Sequence, residues 1–533
     1  MPRGMGWFSV VSIALITLIP IGVVASALLH PDPVLWSHLW DFVLPELLVN
    51  TVWLVLGVGI GVSVLGVGLA WLTALCDFPG RRFFSWALLL PLALPAYISA
   101  FVWLGLFDIT GTVTLWLRDA WGLHLPEFRS RGGVILVLTL ALYPYVYLTA
   151  RAAFLGQGAR LLEAAQSLGH SRRQAFWSVA LPMARPGIMA GLILALMETL
   201  ADFGTVVLFN YNTFTTAIYK AWFSLFSLSA ASQLAAILVF FVFVALLLEG
   251  QWRNRQQTHA ARSSQNPQRI RLRGRHALIA TLAASGIWGL AFVLPVLQLL
   301  AWSWAARADL DARYLDFASH SLLLSTLGAF IILVLALIVA YAQRLNPGPA
   351  MRTLTRAATL GYALPGAVLA VGIYLPITML DKQMIDSGWI DAPYLQGTLI
   401  VMLLAYSARF MAVSFNPIEA GLGQVSRSMD EVAQILGVTG INRLWRVHLP
   451  LLRPSLLAAA ALTFVDIMKE LPITLMTRPF GWDTLAVRVF EMTSEGEWER
   501  AALPAIAIVL VGLIPVFLLT KTMGSSQHHA LAC

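Results

Sequence analysis

Two pairs of carboxylates stand where an apolar chain should carry none. Glu198 and Asp202 lie four residues apart inside a long apolar run, and Asp466 and Glu470 repeat that spacing 268 residues later. Positions i and i+4 share one face of a helix, so each pair is a strip of negative charge. An ionised group at mid-bilayer costs roughly 3 kcal/mol even on lenient scales, so it faces protein or water and commonly marks a substrate path. Gly204 and Pro472 follow the two pairs at one repeat position, and both residue types weaken a helix. The expectation is a pair of broken helices opening onto a central cavity. Carboxylate oxygens suit hard cations. A structural role is the alternative: Lys469, three residues after Asp466, could neutralise it, and Asp202 could sit near the outer interface.

The surrounding chain is built to span a membrane. It has 533 residues, 59% hydrophobic and only 12% charged, with a mean hydropathy of +0.76. That charged share is about half of what a soluble domain carries. Twelve runs reach the roughly 20 apolar residues a span needs. They cover 7–29, 47–75, 83–107, 133–150, 187–209, 229–249, 277–303, 321–343, 357–379, 397–415, 455–477 and 501–520. The first, with Arg3 ahead and Ala25-Ser26-Ala27 behind, has the look of a signal peptide, but its apolar run is long and favours a retained helix.

Charge sets the orientation. Arg81, Arg82, Arg151, Arg160, Arg172, Arg173 and Arg185 fall on one side, with Arg344, Arg352, Arg356, Arg427, Arg443, Arg446 and Arg453. The connections 30–46 and 210–228 hold one basic residue, Lys220. The arginine-rich side is therefore cytoplasmic, and both termini with it. Residues 250–276 carry seven arginines and no acid, which reads as a solvated basic linker beside anionic lipid rather than a nucleic-acid binder. The linker divides the chain into a first membrane domain, 1–249, and a second, 277–533. Six spans per half bring the second half in with the orientation of the first, an all-α polytopic protein whose halves are related by a pseudo-two-fold axis along the membrane normal.

Several chemistries are excluded. None of the four lysines (Lys220, Lys382, Lys469, Lys521) follows a glycine, so the chain has no Walker lysine to hydrolyse ATP. None of the ten histidines pairs with a carboxylate at metal-site spacing inside a span, which argues against a membrane enzyme. The two cysteines, Cys76 and Cys533, form no disulfide framework. No cofactor is expected in this chain.

One polar elbow occurs twice in register. Glu163-Ala164-Ala165-Gln166-Ser167-Leu168-Gly169 is followed after nine residues by Val179-Ala180-Leu181-Pro182. Glu431-Val432-Ala433-Gln434-Ile435-Leu436-Gly437 is likewise followed by Val447-His448-Leu449-Pro450, 268 residues on. Trp177 and Trp445 share the offset. Each copy reads as a short helix stopped by glycine, then a second piece that Leu-Pro should end, because a residue before proline leaves helical dihedrals.

This pattern resembles the Glu-Ala-Ala coupling loop of bacterial ABC importer permeases. The segments Glu198–Val206, Thr213–Trp222, Phe464–Pro472, Arg478-Pro479-Phe480, Asp483–Ala486, Tyr143–Tyr147 and Ala150–Leu155 resemble the fused permeases of ferric-iron importers. The resemblance covers nearly the whole chain. It implies the type I importer permease fold in tandem and an inner-membrane location. It also implies two copies of a separate ATPase, which binds the ATP, docked on Glu163, Ala164, Ala165, Gly169, Leu181 and Pro182 and on Glu431, Val432, Ala433, Gly437, Leu449 and Pro450. A periplasmic iron-binding protein would deliver ferric iron for alternating access. Val432 replaces the family's second alanine. A fused permease for thiamine, a polyamine or a phosphonate remains the alternative, and a proton-coupled secondary transporter using the same acids stands further off.

Overall fold

The computed structural model describes residues 3–29, 33–156, 165, 167, 169, 171–254, 269–309 and 312–529. Among these residues twelve helices are long and apolar enough to cross a membrane, in the order the sequence predicts. The first half supplies Gly6–Ser26, Trp36–Leu75, Ala96–Trp121, Arg131–Gly156, Phe176–Ala201 and Leu228–Leu247. The second supplies Arg275–Asp309, Arg313–Leu345, Gly366–Asp386, Leu399–Gln424, Gly440–Met468 and Trp498–Phe517.

The halves interleave rather than stand apart. The first span packs on the second half: Thr17 donates to the Ala358 carbonyl at 3.2 Å, and Gly372 lies against Pro20. Reciprocally, Trp302 of the seventh span stacks on Phe101 of the third, with centroids 6.2 Å apart. Two large apolar cores each draw residues from both halves, one holding Phe101, Tyr143, Leu299 and Ala505, the other Val24, Leu44, Val371 and Tyr406.

The third and ninth spans begin later than hydropathy suggests. Hydropathy runs 83–107 and 357–379 as continuous spans, but in each the chain breaks at an Ala-Leu-Pro triplet. A turn of 3-10 helix, Leu90–Ala93 or Leu360–Ala363, precedes an extended Leu94 (ψ 109°) or Leu364 (ψ 140°). Helix resumes at Ala96 and Gly366. Proline disfavours helical dihedrals at the residue before it, and the break exposes backbone carbonyls that a continuous helix would use.

The fifth and eleventh spans break as expected. Helix Leu181–Ala201 ends where Asp202 turns extended (ψ 132°), and a short helix Gly204–Leu208 follows. Helix Leu449–Met468 ends with Lys469 still near helical dihedrals (φ −95°, ψ −2°), and Pro472–Thr477 follows. At the other end the expected break at Leu-Pro does not occur. Leu181 and Leu449 are both helical (φ −66°, ψ −47° and φ −57°, ψ −43°), and each is the first residue of a long helix. One turn of π-helix, Phe176–Ala180 or Leu444–His448, stands just before. The wide π turn makes room for the proline ring against the preceding carbonyls, so the chain passes through Leu-Pro without leaving the helix.

The linker ends in structure. Ile270–Arg271 pairs in parallel with Cys76–Asp77, and the Leu272 amide donates to the Asp77 carbonyl at 3.0 Å. The incoming second half is thereby tied to the C-terminal end of the second span.

Candidate functional site

The four helix breaks meet. The ends of the fifth and eleventh spans and the Leu-Pro breaks of the third and ninth surround a cavity of about 200 Å³, and Glu198, Asp202, Asp466 and Glu470 all line it. Gly204 packs there between the halves: a methyl at this position would come within 2.6 Å of Tyr97 and 3.1 Å of Leu471. Among the described residues, no three His, Cys, Asp or Glu side chains are placed to hold one metal ion together.

The carboxylates divide into two kinds. Asp202 accepts the Val206 amide at 3.1 Å and the Thr205 hydroxyl at 3.0 Å. Glu470 accepts the Ile473 amide at 2.9 Å, the Thr474 amide at 3.0 Å and the Thr474 hydroxyl at 2.9 Å. Each is the cap of the short helix that begins just after it, satisfying amides that would otherwise face the interior unpaired. The second member of each pair thus has a structural task whatever else it does. Asp466 and Glu198, the first members, differ from one another. Asp466 pairs with Lys469 at 2.8 Å, whereas Glu198 forms no ion pair among the described residues. Lys469 falls at the repeat position of Ala201, so this neutralisation exists in one half only.

Sequence reasoning passed over Arg409 and the tyrosines. Arg409 of the tenth span lines the cavity and donates through Nη1 to the Leu364 carbonyl, one of those freed by the Leu-Pro break. Its Nε has no hydrogen-bond partner among the described residues. The signal was present: an arginine inside the apolar run 397–415 is as costly as the acids that were singled out. Its repeat equivalent is Ala141, so this charge too belongs to one half. Tyr97, Tyr145 and Tyr362 also line the cavity.

The elbows share a turn. Gly169 and Gly437 take φ of +91° and +74°, the left-handed turn expected of them. Ala165 and Ala433 are each 5% exposed, while Trp177 and Trp445 stand out into solvent. Glu163 and Ala164 lie outside the described residues. In the second elbow, helix Arg427–Ile435 presents Met429, Val432, Ile435 and Leu436 outward, with Ile435 84% exposed. Glu431 is exposed on the same helix.

A charged knot holds that second elbow. Arg344, at the end of the eighth span, reaches Asp430 at 2.7 Å and the carbonyls of Leu422 and Val425 at 2.5 and 3.0 Å. His448 Nε2 lies 2.7 Å from the other Asp430 oxygen, and Arg443 Nε lies 3.8 Å from it. Burial alone would push the Asp430 carboxyl up. Hydrogen bonds from Arg344 and His448 outweigh it and hold the group below the ordinary aspartate value.

This arrangement, two tandem halves meeting at a cavity with paired elbows at one end, defines a fused importer permease. A family model for binding-protein-dependent transport system inner membrane components matches twice, over residues 62–249 and 332–527, and the chain belongs to that family. Similar proteins include the Fe(3+)-transport system permease protein FbpB 2 of Haemophilus influenzae, 30% identical over 89% of this chain and 90% of its own length. The ferric transport system permease protein FbpB of Actinobacillus pleuropneumoniae is 22% identical over 80% of this chain and 64% of its own. The molybdenum transport system permease protein ModB of Escherichia coli is 30% identical over 35% of this chain but 83% of its own length, as a single half would be.

Proposed function

We propose that this chain is the transmembrane subunit of an ATP-driven importer that moves ferric iron from a periplasmic binding protein to the cytoplasm. Its near end-to-end similarity to a permease named for Fe(3+) carries the reading. The cavity is compatible, because four carboxylates converge there and hard oxygen donors are what ferric iron prefers. Two copies of a separate ATPase would dock under the elbows, where exposed Ile435 and Leu436 offer an apolar foothold. The arginine-rich side, with both termini, would be cytoplasmic. Closure of the ATPase pair would pull on the elbows and turn the cavity outward, and reopening would turn it inward.

The deciding experiment reconstitutes the chain with its ATPase and binding-protein partners and follows radio-iron into vesicles. ATP-dependent uptake that a proton-gradient uncoupler leaves intact is expected. Uptake of molybdate, a phosphonate or thiamine, with none of iron, would replace the substrate. Uptake that ignores ATP and collapses with the proton gradient would replace the class.

A further inference from the structure

The division of labour among the carboxylates leaves Glu198 as the one acid in the cavity that neither caps a helix nor pairs with a cation among the described residues. Its surroundings are phenolic. Tyr145 and Tyr362 line the same cavity of about 200 Å³ as Glu198 and Asp466. Tyr145 comes from the fourth span and Glu198 from the fifth, both in the first half. Tyr362 comes from the 3-10 turn before the ninth span, in the second half. The group therefore bridges the two halves whose relative motion would open and close the path.

Phenol oxygens add something that carboxylates lack. A carboxylate attracts any cation, from a polyamine to a divalent metal. A phenol binds a metal well only once its proton is gone, and a trivalent hard ion is acidic enough to displace that proton near neutral pH. We propose that Glu198, Tyr145 and Tyr362 form a transient station for ferric iron, in which the carboxylate attracts the ion and the two phenols select its charge. On binding, an Fe–O bond forms to each phenol oxygen, the O–H bond breaks, and the proton leaves to water in the cavity. On release the phenolate takes a proton back from water. Iron stays ferric throughout. Arg409 keeps the station weak. A positive group in the same cavity opposes a bound cation, and a path must let go of what it binds.

This inference rests on the ferric reading, and the experiment separates the two. The full chain is purified into lipid nanodiscs and titrated with ferric nitrilotriacetate, followed by visible absorption. A phenolate-to-iron charge-transfer band is expected, weakened by Tyr145→Phe or Tyr362→Phe and absent from the double variant. Both variants keep the ring that packs and lose only the oxygen. Gallium, of equal charge but without that transition, should compete the band away. In vesicles with the ATPase and binding protein, the double variant should lose iron uptake severalfold. If the wild-type assembly imports iron but the band never forms, or the band survives in the double variant, the tyrosine station is wrong while the ferric reading stands. If the wild-type assembly imports no iron, the ferric reading fails and the station falls with it.

Discussion

The two elbows share a glycine turn where both are described, but not the charges around it. Both turn on a left-handed glycine, bury the alanine that follows the same glutamate and expose the same tryptophan. The second is fastened by Asp430 to Arg344, Arg443 and His448. At the repeat positions of Arg443 and His448 the first has Ala175 and Ala180, both buried, and at that of Asp430 it has Leu162. The cavity shows the same division. The caps Asp202 and Glu470 are duplicated, while Lys469 and Arg409 have Ala201 and Ala141 as counterparts. Duplication has kept what the backbone requires and let the charges diverge. The two halves are therefore not interchangeable in charge, either at the elbows or around the cavity.

The sharpest test of this division is at the caps. Asp202→Ala and Glu470→Ala each strand two or three donors in the interior, at roughly 1–3 kcal/mol per group. Both should lower membrane yield and melting temperature strongly, and by similar amounts in the two halves. Asp202→Asn and Glu470→Gln retain an acceptor and should recover most of the loss. Amide variants that melt normally yet fail to transport would reverse the assignment and return these two acids to the path.

The first members of the pairs should behave unlike the caps and unlike each other. Asp466→Asn leaves Lys469 without its anion in the cavity, a destabilisation that Lys469→Met should relieve in the double variant. Glu198→Gln strands no cation, so its melting should be unchanged while iron uptake per unit protein falls. Full normalised uptake in Glu198→Gln would remove this residue from the path. Equal destabilisation by Asp466→Asn and Glu198→Gln would erase the contrast between the halves.

At the elbows, acid should act on one side only. Asp430 has its carboxyl held below the ordinary value, so the stability it confers is complete above the unfolded pKa of about 4 and is lost as pH falls through the lower folded value. Hydrogen exchange should stay slow in helix Arg427–Ile435 at neutral pH and quicken at acid pH. Asp430→Asn should remove that pH dependence, and the segment around Ala175 and Ala180 should never show it. An acid response common to both elbows would mean that the knot is not what fastens the second.

Hydropathy alone located the twelve spans, because burial in lipid demands apolar length wherever a helix crosses. The repeat located the broken helices, since Gly204 and Pro472 interrupt the same place twice. What escaped was set by tertiary geometry. Residue type does not distinguish an acid that caps the next turn from one that only faces the cavity; Asp202 and Glu198 are both carboxylates, four residues apart in one apolar run. The Leu-Pro pairs were misjudged because a π turn, which no single residue announces, absorbs the proline. Asp430 was overlooked because its partners Arg344 and His448 lie 86 and 18 residues away. Comparing the copies for mismatched charge, rather than for matched motif, would have pointed to Asp430, Arg409 and Lys469 together.

The smallest expected difference is at the glycines that the elbows share. Gly169 and Gly437 both lie at positive φ, and a methyl at either would meet nothing within 4 Å. Space is therefore not the constraint; the backbone is. A residue with a Cβ at this conformation costs about 1–2 kcal/mol, against a little for asparagine, which tolerates the left-handed region. Gly169→Ala and Gly437→Ala should each weaken co-purification of the ATPase and slow uptake, while Gly→Asn at the same positions should do so less. Because the turn is common to both halves, the two alanine variants should match within a factor of about three, which is roughly 0.6 kcal/mol. The second elbow, braced by Asp430, should keep its turn better under strain, so any excess defect should appear at Gly169. A defect confined to Gly437→Ala would show that the braced elbow is the one that cannot yield, and would make rigidity rather than shape the quantity that the knot supplies.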